Sequence, residues 1–65
     1  MKYNELFRLL KKEGWFEIRQ RGSHVILKHP DKIDQLTVPF HSGKEVKKGL
    51  LVAILKQADI KTMKR

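Results

Sequence analysis

Leu6, Leu9 and Leu10, with Phe7 beside them, repeat at the i, i+3, i+4 spacing of an amphipathic helix and predict one over residues 4–13. Its ends have local reasons: Asn4 suits the N-cap, Glu5 the positive end of the helix dipole, Lys11 and Lys12 the negative end, and Gly14 a stop. The period then shortens to two. Phe16 and Ile18 alternate with Glu17 and Arg19 in a strand over 15–20. Arg21-Gly22-Ser23 reads as a turn, 24–29 as a second strand closed by Pro30-Asp31, and 36–40 as a third with Leu36, Val38 and Phe40 on one face. Pro39 offers no amide donor, so the third strand ends there or lies at an edge. A last helix opens at Ser42, whose spacing to Glu45 matches a capping box, and carries an apolar stripe of Val46, Leu50, Leu51, Ile54, Leu55 and Ala58. Gly49 inside it is read as a point of close packing against the sheet.

The order is therefore α-β-β-β-α. Short links between consecutive strands favour an antiparallel sheet, and two helices covering one face give a two-layer α+β domain with the other sheet face open. Strand parity sorts the second strand. Val25, Leu27 and His29 turn to the covered side, and His24, Ile26 and Lys28 to the open side. In the first strand the matching open set is Glu17 and Arg19, with the face of Trp15 left undecided because it begins the strand. A bulge would invert this assignment.

Length allows one domain, over 1–65, with a modest core. The chain has no cysteine, which excludes disulfides and thiolate metal sites and suits a reducing cytoplasm. No apolar run approaches the roughly 18 residues of a membrane span, and the opening Met1–Glu5 lacks the apolar stretch of a signal peptide. Charge changes the picture most. Fifteen Lys and Arg face seven Asp and Glu, a net +8, which points to a polyanionic partner, nucleic acid ahead of an acidic protein.

The chemistry concentrates in Arg21-Gly22-Ser23-His24. A histidine just after a tight turn is held at the mouth of a hairpin, and near neutral pH its imidazole both takes and gives protons. A lone strand histidine is more often structural or merely solvated, and a turn serine more often bonds local backbone than a phosphate. His29 and His41 complete the histidines, but no recognised ligand spacing joins them to a carboxylate, so neither a metal site nor a cofactor is expected. Nothing marks a serine nucleophile elbow. Lys44, Lys47 and Lys48 crowd the expected first turn of the last helix, against its dipole, as a phosphate grip would require; solvated surface lysines are the plainer reading.

Gly14-Trp15, Arg21-Gly22-Ser23-His24, His29-Pro30, Val38-Pro39 with His41, Lys44-Glu45-Val46, Gly49-Leu50 and Ile54-Leu55-Lys56-Gln57-Ala58 together resemble the HicA toxins, also called the YcfA-like family. The resemblance runs in order through nearly the whole chain. It implies a fold like the double-stranded RNA-binding domain and a ribosome-independent mRNA interferase. The family's catalytic histidine falls at His24, and a HicB-type antitoxin covers the active surface. On that reading the protein is a cytoplasmic, metal-independent endoribonuclease of a type II toxin-antitoxin system. His24 acts as general acid or base on RNA's own 2′-hydroxyl chemistry, preferring single-stranded or loop regions. Arg19, Arg21, Gly22, Ser23, Lys28, Lys44, Lys47 and Lys48 are the expected RNA contacts. His24, Ile26 and Trp15 are the expected antitoxin contacts, with Ile26 as anchor. The alternatives are a non-catalytic double-stranded RNA-binding module of the same fold and a basic protein that only binds an acidic partner.

Overall fold

The structure, a computed structural model, describes residues 1–60; the last five residues of the expected domain lie outside the described residues. Helix α1 spans Tyr3–Lys12, strands β1, β2 and β3 span Phe16–Arg21, His24–Lys28 and Leu36–Pro39, and helix α2 spans Lys48–Gln57. The strands form one antiparallel sheet in the order β1-β2-β3. The α-β-β-β-α order and the α+β class stand as read from the sequence.

The helix side of β2 and β3 is dry, while every residue of β1 is exposed. Val25 and Leu27 of β2 and Leu36 and Val38 of β3 are buried, and they join Tyr3, Leu6, Phe7 and Leu10 of α1 and Ile54 and Leu55 of α2 in a single core. Leu6, Leu10, Leu27, Leu36 and Val38 are fully enclosed. Side chains of that kind each contribute about 1.5–3 kcal/mol on removal from water. The Phe40 ring, beyond the end of β3, meets Phe7 and Tyr3 edge to face at centroid distances of 5.2 and 6.5 Å.

Both helices end in the same six-residue closure. After α1, Trp15 N–H donates to the Leu10 carbonyl and Gly14 N–H to that of Lys11, with Gly14 at φ +103°. After α2, Ile60 N–H donates to Leu55 and Asp59 N–H to Lys56, with Asp59 at φ +60° in the glycine role. At the start of α1 the cap is two residues earlier than the sequence suggests. Lys2 is the N-cap residue, and its N–H donates to the Glu5 carboxylate at 2.8 Å. Asn4 instead turns its side-chain oxygen to Gly43 N–H at 3.4 Å.

The start of α2 departs from expectation by a turn and a half. Residues 44–46 are extended, not helical. Lys2 and Glu45 form an antiparallel bridge, Tyr3 N–H donates to the Lys44 carbonyl and Val46 N–H to that of Met1. The Glu45 carboxylate therefore faces the Met1 amine at 3.0 Å and not a helix cap. Because α2 begins only at Lys48, Gly49 lies in its first turn, with nothing within 4 Å of where a Cβ would sit. The close-packing reading of Gly49 is thus wrong.

Gly14 is the glycine that geometry demands. Its backbone is left-handed, and an added Cβ would sit 2.6 Å from His29 Nε2. Gly22, at φ +60°, has open space around it. Gly14→Ala is expected to cost about 2 kcal/mol or more, because strain and collision add. Gly22→Ala should cost less, through strain alone. Thermal melts check this, and removal of the ring in Gly14→Ala/His29→Ala should recover part of the loss. Equal losses for the two glycines would mean that the His29 contact is unimportant.

Candidate functional site

The hairpin joining β1 and β2 has a loop of two residues, Gly22 and Ser23, flanked by the cross-strand pair Arg21 and His24. With φ positive at Gly22 alone, it has the backbone signs of a type II′ turn, whose twist matches that of the flanking strands. It is tied on both sides. Gln20 Nε2 donates to the Gly22 carbonyl at 2.9 Å, and Phe40 N–H donates to the Ser23 carbonyl at 2.7 Å. Gly22 and Ser23, both expected at the RNA surface, form this turn.

Register assigns the faces. Val25 and Leu27 are buried, so His24, Ile26 and Lys28 point to the side that no helix covers, as their parity predicted. Residues directly opposite share a face, with Cβ atoms about 4.5–5.5 Å apart. The open face thus carries three rows: Arg21, His24 and Pro39; Arg19, Ile26 and Thr37; and Phe16 and Lys28. The expected grouping of Arg19, His24, Ile26 and Lys28 shares this one surface, and Arg21, read from the sequence as part of the turn, joins it as the partner of His24.

Glu17 is the correction. A bulge at Ile18 shifts the register between Glu17 and Arg19, so Glu17 pairs with buried Leu27 and faces the helix side, 3.5 Å from Lys11 Nζ. Phe16 takes the open-face place that unbroken alternation would have denied it. None of the paired open-face residues is an Asp or Glu. One extra residue thus removes the strand's carboxylate from the cationic surface.

Trp15 is the second correction. It is 3% exposed, packed in the core with its indole edge-on to the His29 ring at 5.2 Å, so it is withdrawn from the expected antitoxin contacts. Trp15 follows the helix stop, where an apolar side chain folds back onto the last turn.

The three histidines separate by their bonds. Asp31 N–H donates to His29 Nδ1 at 3.0 Å, so that nitrogen bears no proton, and Nε2 must then be the donor to the Glu13 carbonyl at 2.9 Å. His29 is a clamp between the end of β2 and the end of α1, with both nitrogens occupied. His41 is exposed and lies edge-on to Tyr3 at 5.3 Å. His24 is exposed, and among the described residues its ring nitrogens have no partner. Among the described residues no three His, Asp or Glu gather so as to hold a metal ion, and no helix is long and apolar enough to cross a membrane.

Lys44, Lys47 and Lys48 do not join the sheet face. Lys47 is the N-cap residue of α2 and Lys48 its first residue, while Lys44 lies on the extended segment before them, near His41 and Tyr3. Lys44 and Lys47 border one shallow pocket together with Glu45, and Lys48 follows in α2.

A family model described as the HicA toxin of bacterial toxin-antitoxin matches residues 3–60. Comparison with curated proteins finds no match.

Proposed function

The chain belongs to the HicA toxin family, and from that premise we propose that it is a metal-independent endoribonuclease that cuts messenger RNA in the cytoplasm and is neutralised by a HicB-type antitoxin. The observation that carries the reading is His24 itself. Its ring is exposed, without a bonding partner among the described residues, on a sheet face with Arg19, Arg21 and Lys28.

RNA brings its own nucleophile. His24 takes the proton of the 2′-hydroxyl or delivers one to the leaving 5′-oxygen, and water makes the other transfer. The new bond joins the 2′-oxygen to phosphorus as the bond to the 5′-oxygen breaks, leaving a 2′,3′-cyclic phosphate and a 5′-hydroxyl. Arg21, directly across the hairpin from His24, is placed to neutralise the charge that builds on the phosphate, and Arg19 and Lys28 hold the strand farther along. The peptide groups of Gly22 and Ser23 shape the turn that sets the Arg21 and His24 pair. His29 is unsuited to the role because both its nitrogens are bonded.

His24→Ala is expected to lower the cleavage rate by about 10²–10⁴-fold, the usual contribution of a positioned acid or base. Its melting point should stay near wild type, because the ring is exposed. The measurement is cleavage of labelled RNA in EDTA with mapping of the product ends. Wild-type cutting by the variant would overturn the assignment, and RNA binding without any cutting by the native protein would favour a non-catalytic module.

Lys44, Lys47 and Lys48 supply sequence-independent attraction. Replacing all three with Gln should weaken RNA binding broadly and flatten the slope of log K against log salt by about 0.7 per lost contact on a single strand. An unchanged slope would mark them as solvated surface.

Ile26 lies half-buried on the open face between Arg19 and Thr37 and is the proposed apolar anchor of the antitoxin contact. Ile26→Asp should cost about 2 kcal/mol or more of antitoxin affinity, as loss of a hot spot does, with little change in the toxin's own melt. Calorimetric titration beside thermal melts tests this. Unchanged affinity, or a toxin that unfolds, would sink it.

A further inference from the structure

The open-face row farthest from the hairpin turn is Phe16 with Lys28. Phe16 is 49% exposed although it is aromatic and lies in a sheet. The core closes without it. The bulge at Ile18 brings it to this face and sends Glu17 to the other. The charged residues paired on this face carry one sign: Lys28 stands directly opposite Phe16, Arg19 lies in the next row, and none of the paired residues of this face is acidic. An exposed aromatic ring beside cations on a bare sheet is the composition with which proteins stack unpaired bases, the ring meeting the base and the cation its phosphate.

We propose that Phe16 and Lys28 form a base-stacking subsite for the single-stranded RNA that flanks the cut, with a nucleobase on the Phe16 ring and the adjoining phosphate on Lys28. This rests on the reading of the protein as an RNA-cutting toxin and adds a substrate-binding determinant to it. Lys28 lies four residues beyond His24 along β2, about 13 Å at about 3.3 Å per residue. The stacked base is therefore not one of the two at the cut bond but lies farther along the strand. Every base has a π face, so the subsite tolerates sequence. It discriminates instead against duplex, whose bases are already stacked on one another.

The test uses His24→Ala protein, which holds RNA without cutting it, and a short unpaired oligoribonucleotide followed by fluorescence anisotropy. Adding Phe16→Leu should weaken binding by about fivefold or more, with the salt slope unchanged because no charge is lost. Phe16→Tyr, which keeps a π face, should retain affinity. An abasic site moved along the oligonucleotide should abolish the effect of Phe16→Leu at one position only. The proposal is overturned if Phe16→Leu binds RNA like its parent, or if the loss is the same for every abasic oligonucleotide. Loss of antitoxin affinity with RNA binding unchanged also overturns it and makes the patch a protein-docking surface. If the His24→Ala parent still cuts RNA or fails to bind it, the functional reading falls first and the subsite with it. Intact binding with a neutral Phe16→Leu removes the subsite alone.

Discussion

Once Val25 and Leu27 are buried, every paired residue of the sheet has its face assigned. Side chains alternate along β2, and those opposite them follow, so His24, Ile26 and Lys28 are held away from the helices by the same burial that holds the domain together. The core and the candidate site are two consequences of one alternation. Shifting β2 by a residue would bury His24 and Lys28 and expose Val25 and Leu27, at a cost of several kcal/mol in lost apolar burial and desolvated charge. The bulge at Ile18 is the one place where the rule is reset, and it acts on charge. Glu17 leaves for Lys11 on the helix side, and the open face keeps Arg19, Arg21 and Lys28.

His29 and His24 differ in how far the fold has bound them. His29 spans from the Asp31 amide to the Glu13 carbonyl, and Gly14 exists in a form that leaves room for its ring. This junction closes α1, seats Trp15 in the core and fixes the far end of β2. The near end is fixed by the turn and by Phe40 N–H on the Ser23 carbonyl. His24 therefore has a backbone held from both strands and a ring that bonds to nothing else described. That combination suits a group which must be in place before its substrate arrives.

Most of this was legible in the residues where the cause is local. The period of α1, the stop at Gly14, the three strands and the parity of β2 follow from spacing and turn chemistry. The misreadings share a different origin. Nothing in Phe16-Glu17-Ile18-Arg19 marks a bulge, since no glycine signals one, and only pairing with β2 reveals it. Ser42 and Glu45 have the spacing of a capping box, but the segment pairs with Met1–Tyr3 from the other end of the chain, and that distant partner wins. The same displacement moves Gly49 into the first turn of α2 and separates Lys44 from the helix. Trp15 could not be assigned by alternation because its place is set by the helix closure before it. Asp59 in a left-handed backbone has no glycine to announce it.

A three-stranded sheet with one bare face also has two bare edges, and such edges invite copies of a chain to join strand to strand. Here each edge is blunted by a feature already described. On β1 the extra residue at Ile18 breaks the even spacing of free peptide groups that an incoming strand would need, and it twists the edge. On β3 the bond from Phe40 N–H to the Ser23 carbonyl makes that the hydrogen-bonded pair. The neighbouring pair of Pro39 with His24 is then the open kind, and the outward side of Pro39 is where its missing N–H would have pointed. The protein can thus leave a cationic face uncovered for a partner while both edges of its sheet make a poor template for its own copies.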